Sequence, residues 1–142
     1  MFRFIVKYLG FLKHVPFFSH WMDSVMMIWN MLFNREVSDS IEQIENDVAL
    51  WAGVTCTLHK FGGLQFNYNT KEVGHIHSNG ILDILFTRTI KQELIRKGLV
   101  SDHHVLKKSG WISYRVRSAA DLDTALYLLR LSYERLGGCS TA

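Results

Sequence analysis

The chain has 142 residues, enough for one domain with an arm, and 48% apolar with 20% charged residues excludes wholesale disorder. One Pro and ten Gly leave no room for a low-complexity or Pro-rich linker. The net charge of +3 is local, because Arg3, Lys7 and Lys13 are the only charges before Asp23 and 13 basic residues balance 13 acidic ones thereafter, so nothing argues for a nucleic-acid partner.

Residues 1–35 read as an apolar helical extension to an α+β domain over 36–142. Phe2, Phe4, Ile5, Val6, Tyr8, Leu9, Phe11 and Leu12 crowd its start, and Pro16 divides it into two helices. In the second, Val25, Ile28, Trp29 and Leu32 follow helical spacing, with Met26, Met27 and Met31 widening the stripe as core filler. Lys7, Lys13 and Asp23 interrupt the segment, and its uncharged runs fall short of the roughly 18 residues of a membrane span. No small-residue cleavage site follows. These helices are expected to pack on the core or on a second copy of the chain. An interfacial helix over residues 1–15, with Arg3, Lys7 and Lys13 toward anionic lipid, is the alternative. Cys56 and Cys139 have no CxxC spacing and read as reduced thiols in a cytoplasmic protein.

An acidic amphipathic helix follows over Arg35–Asp47. Asp39 and Glu42 form a capping-box pattern, and Ile41, Ile44 and Val48 share a face. The hydrophobic period then changes to two. Val54–His59 alternates, Gly62-Gly63 punctuates, and Leu64, Phe66 and Tyr68 alternate with Gln65, Asn67 and Asn69. Asn69–Glu72 reads as a turn, Val73–His77 as the return strand, Ser78-Asn79-Gly80 as another turn, and Ile81–Phe86 as a strand holding one acid, Asp83. Thr89 with Gln92 suggests a cap for a short helix stopped by Gly98. Val100–Lys108 reads as a loop and Trp111–Arg117 as a strand. Ser118 with Asp121 opens a last helix whose stripe is Leu122, Ala125, Leu126, Leu129, Tyr133 and Leu136. The order predicts an antiparallel sheet with helices packed against one face.

The histidines carry the chemical signal. His75 and His77 are two apart on a predicted strand and leave one face. His103-His104 sits in a loop, and Asp83 interrupts an apolar strand. Three explanations compete. His75 and His77 could share a metal ion completed by Asp83 and His103 or His104. They could instead move protons for a small molecule, with Arg115 pairing an anionic group and Trp111 supplying a stacking wall. Or the cluster is structural, with His77 capping a turn and His103 and His104 solvated. No Walker motif, phosphate loop or G-x-S-x-G occurs.

The run Glu72-Val73-Gly74-His75-Ile76-His77, then Gly80-Ile81-Leu82-Asp83, resembles the luciferase-domain family, small proteins sharing a domain with a sponge luciferase. Gly62-Gly63, Thr89–Gly98, His103-His104-Val105 and Ser109-Gly110-Trp111-Ile112-Ser113 follow that pattern in order, over roughly residues 50–136. The stretch Trp111–Arg117 with Leu129–Glu134 also resembles, more briefly, the MmcQ/YjbR family and its two-layer fold like that of secretion chaperones. The first resemblance implies oxidation of a bound heteroaromatic by dioxygen, without a required cofactor, in an aromatic-lined pocket with a proton-moving group. It nominates His75, His77 and Asp83 as catalytic, and Trp111, His103 and His104 as ligand-binding; Arg115 joins the ligand-binding set from the strand reading above. The second makes a homodimer or interaction module, built on the apolar N-terminal helices, the competing function.

Overall fold

The computed structural model describes residues 34–60, 62–103 and 105–138, together with Trp21, Ser24, Val25, Ile28 and Trp29. These last five are helical, and Trp21, Val25, Ile28 and Trp29 remain exposed on this chain. The rest of the proposed extension, and Cys139, lie outside the described residues. Among the described residues, no helix is long and apolar enough to cross a membrane.

The domain runs α1 (Arg35–Ala49), β1 (Val54–Leu58), β2 (Leu64–Tyr68), β3 (Lys71–Ile76), β4 (Ile81–Leu85), α2 (Arg88–Arg96), β5 (Ser101–Asp102), β6 (Trp111–Arg115), a 3₁₀ turn at Ala119–Asp121, and α3 (Leu122–Arg135). The six strands form one sheet in the order β1-β2-β3-β4-β6-β5, every neighbouring pair antiparallel. This is the expected α+β architecture.

The two periods fix which side of the sheet is covered. Leu82 and Ile84 of β4 and Ile112 of β6 are buried on one face, and the residues between them point to the other. On the apolar face, Val48 and Ile44 of α1 and Ala125, Leu128, Leu129 and Tyr133 of α3 close the core over Phe66, Val73 and Ile76. Leu94 of α2 and Phe86 extend it. Two buried polar groups of α3 find partners across this layer: Ser132 Oγ donates to Val73 O at 2.8 Å and Tyr133 Oη to Ala52 O at 2.8 Å.

Local signals shift by a few residues. α1 starts after Asn34, so Asp39 and Glu42 lie inside the helix and cap nothing. α2 is capped by Thr87, whose Oγ1 accepts the Ile90 N–H at 3.3 Å, so Thr89 is helical. Ser118 makes no capping bond; its intended partner Asp121 instead accepts from the Arg117 N–H and the Tyr114 hydroxyl. Lys71 and Glu72 belong to β3, because Asn69 takes a positive φ of 55° and tightens the hairpin. Within the presumed loop 100–108, Ser101 and Asp102 add an edge strand to β6. Gly98 ends α2 with φ 71°, as expected.

Candidate functional site

The face of the sheet away from α1 and α3 is polar. Antiparallel register lines up Gln65, His75, Asp83 and Ser113 as cross-strand neighbours, with Ser101 beyond them. A β-bulge adds a further member. Phe66 pairs with Gly74 but Asn67 with Glu72, so Val73 is the extra residue. Without it, Glu72 and His75 would face opposite sides; with it, Glu72 Oε1 meets His75 Nδ1 at 2.6 Å.

Asp83 is the centre. It is fully buried. Its Oδ1 accepts the Ser113 hydroxyl in a short hydrogen bond, and its Oδ2 has no hydrogen-bond partner among the described residues. Three imidazoles face that oxygen: Nε2 of His75 at 3.7 Å, of His77 at 3.6 Å and of His103 at 3.6 Å. Burial pushes the Asp83 carboxyl up, but His77, the Ser113 hydroxyl, His103 and His75 outweigh it and hold it below the usual carboxylate range. The carboxylate is therefore a buried anion at neutral pH.

The partners of the other ring nitrogens assign tautomers. His75 Nδ1 lies on the Glu72 carboxylate and carries the proton there, so in the neutral ring Nε2 turns a lone pair toward Asp83. His103 is opposite in sense. Its Nδ1 accepts the backbone N–H groups of Val105 and Leu106, both at 3.1 Å, so its Nε2 carries the hydrogen. His59, at the end of β1, stacks flat on His75, with ring centroids 3.8 Å apart and planes 7° apart. Burial, then the neighbouring His75, lower its pKa to about 4, so it is neutral at pH 7. Trp111 stands edge-on to His75 and tilted to His103, with ring centroids 5.6 and 6.0 Å away.

The loop that delivers His103 is anchored from below. Lys91 of α2 is buried, and its Nζ donates to Lys107 O at 2.8 Å and Ser109 O at 3.0 Å while pairing with Asp102 at 2.7 Å. These bonds tie down the segment between β5 and β6.

Of the residues nominated from sequence, His75, His77, Asp83, His103 and Trp111 come together here. Arg115 stands on the same face opposite Ile81, exposed at the far end of β6. His104 lies outside the described residues. Three members were not foreseen as site residues. His59 sits beyond the end of its strand, Glu72 depends on the bulge, and Ser113 reads as an ordinary strand residue until its register with Asp83 is known. Cys56 is a half-buried free thiol, its pKa raised by burial and by Glu45. A separate groove of about 580 Å³ lies between α1 and the sheet, lined by Asp39, Glu42, Leu58, Leu64 and Ile76 among others. None of its lining residues is a histidine, so it offers volume without the chemistry.

Residues His75, His77 and Asp83 each offer one ligating atom within 4.8 Å of the others, and so do His59, Glu72 and His75. No curated protein and no solved structure matches the chain. A family model described as the luciferase domain matches residues 70–132, a span that includes Glu72, His75, His77, Asp83, His103, Trp111 and Ser113. Over this stretch, a little under half of its length, the chain is similar to the luciferase domain.

Proposed function

We propose that the polar face of the sheet is a small-molecule site whose histidines move protons. The observation that carries this is the buried Asp83 side chain, whose Oδ2 has no hydrogen-bond partner among the described residues and lies 3.6–3.7 Å from three imidazole Nε2 atoms. A buried carboxylate kept for structure has both oxygens hydrogen-bonded, and an unsatisfied one is costly. Such a cost persists where a site needs a reactive group held ready.

His77 has the most exposed side chain of the three, 24% against 8% for His75 and 12% for His103, and is the proton carrier. Asp83 Oδ2 lies 3.6 Å from the His77 Nε2, and the His103 N–H supplies a hydrogen bond to an anionic atom of the ligand. Trp111 forms the wall, with Leu85 beside it across the strand pair and Val105 and Leu106 exposed next to His103. These surroundings suit a flat, largely apolar heteroaromatic compound. Where the ligand is oxidised, dioxygen takes the electrons and the chain contributes the proton transfers.

The test is a panel of flat heteroaromatic compounds, assayed for binding and for oxygen consumption. His77→Gln should lower turnover roughly 10²–10⁴-fold with binding little changed. Trp111→Ala should weaken binding instead. A binder that both variants handle like the parent chain would remove the proposal.

A further inference from the structure

We infer that His75, His77 and Asp83 hold one divalent first-row transition-metal ion, with Glu72 orienting the first of these ligands. The inference rests on the small-molecule reading above for its location and names the cofactor of that site; with the ion bound, His77 Nε2 is a ligand, and the proton-carrying role given to it above belongs to the metal-free chain.

The distances favour an ion over direct contacts. At 3.6–3.7 Å, Asp83 Oδ2 is too far from the His75 and His77 Nε2 atoms for a hydrogen bond, which spans roughly 2.7–3.2 Å. Two ligand atoms on a tetrahedral ion with bonds of about 2.1 Å stand roughly 3.4 Å apart. The observed separations are thus close to those of atoms that share an ion. In neutral His75 the arrangement otherwise sets an Nε2 lone pair against a carboxylate lone pair, which a cation between them resolves.

The neighbours of the ligands fit as well. Metal-bound histidines commonly donate their other ring N–H to a carboxylate, and the 2.6 Å contact of Glu72 with His75 Nδ1 is such a pair. It also decides between the two candidate trios. The site of His59, Glu72 and His75 would need an ion where Glu72 and His75 are already in hydrogen-bond contact. His103 is not a ligand in this arrangement, because its Nδ1 accepts two backbone N–H groups and its Nε2 therefore carries hydrogen. Two imidazoles and one carboxylate leave a coordination position for a ligand atom, the pattern of reactive centres rather than of closed structural sites.

The experiment is a titration of the full-length, untagged, chelator-treated chain with Zn²⁺, read by equilibrium dialysis and elemental analysis, with Co²⁺ absorption as a second readout. The expected result is one equivalent per chain. Binding should be lost in His77→Gln and weakened roughly 10–100-fold in Glu72→Gln, while His103→Gln keeps the stoichiometry. Co²⁺ should show bands of nitrogen and oxygen ligation without thiolate charge transfer. Circular dichroism checks the fold of each variant; should His77→Gln fail to fold, the loss of affinity in Glu72→Gln decides. No stoichiometric binding, or binding equal in the parent chain and both variants, overturns the inference. If no metal binds and heteroaromatic compounds still bind the chain in a manner that depends on Trp111, the metal site is wrong and the small-molecule site stands. If the metal binds and no compound does, the reverse holds.

Discussion

Glu72 and His75 are three residues apart on one strand, yet their side chains meet at 2.6 Å on the same face of the sheet. Only the bulge at Val73 makes this possible, because strand side chains otherwise alternate. The contact fixes the His75 tautomer and aims its Nε2 at Asp83. A single inserted residue therefore decides the electrostatics of the whole cluster. Glu72→Gln should cost about 1–2 kcal/mol of stability in urea denaturation, the range of a hydrogen bond to a charged group at a partly exposed site. An unchanged midpoint would show that the contact does not hold the ring.

Ser113 is the only hydrogen-bond donor found on Asp83 among the described residues, through its hydroxyl to Oδ1. Ser113→Ala leaves a fully buried carboxylate with neither oxygen hydrogen-bonded. The expected loss is about 2–3 kcal/mol, and the Asp83 carboxyl should rise toward the usual range as that support disappears. Thermal denaturation at pH 7 with carboxyl ¹³C shifts checks both parts.

Lys91 links the site to α2 without touching it. Its buried ammonium holds two carbonyls of the segment that carries His103 and pairs with Asp102. Lys91→Met keeps the stem packed and removes the charge. The segment should loosen, seen as faster amide exchange at Val105 and Leu106, whose N–H groups bond His103 Nδ1. The stability loss should be about 2–4 kcal/mol. Unaltered exchange at those two amides would show that the anchor lies elsewhere.

Much of this fold was legible in the sequence, and the reasons are local. The switch from a period of 3.6 at Ile41, Ile44 and Val48 to a period of two at Leu64, Phe66 and Tyr68 marks helix and then strand. Gly98, with a φ of 71°, closes its helix where it was expected to. The caps were harder, because Thr87 and Thr89 offer the same hydroxyl, and it is Thr87 that accepts the Ile90 N–H. Convergence of His75, His77, Asp83, His103 and Trp111 was suggested by family pattern and is explained by register. His59 could not be found this way, since its stacking on His75 depends on how the chain turns after β1. Glu72 was hidden by the bulge.

Asp121 gives the fold an acid-sensitive joint. Burial pushes its carboxyl up, but the backbone N–H and guanidinium of Arg117 and the Tyr114 hydroxyl outweigh that and hold it below the usual range. A carboxyl whose folded pKa lies below its unfolded value of about 3.9 stabilises the fold above that pH. The contribution fades as pH falls through the folded value. Stability should therefore drop as pH falls below about 4, and Asp121→Asn should flatten that part of the curve. Because the side chain is near solvent, the effect should stay below about 1 kcal/mol. Denaturant midpoints of the two chains across this range provide the check; parallel curves would remove Asp121 from the acid response.

The claim that matters most is that three imidazoles and an unpartnered carboxylate form one responsive site. It is tested most directly by long-range ¹H–¹⁵N spectra of the imidazoles, recorded with and without a bound heteroaromatic compound, in the parent chain and in Asp83→Asn. The account predicts that the compound shifts His77 and His103 together with the Trp111 indole, that Asp83→Asn moves the Nε2 signals of His75, His77 and His103 alike, and that it abolishes the response to the compound. A compound that binds equally well to Asp83→Asn, or that leaves the His77, His103 and Trp111 signals where they were, would contradict it.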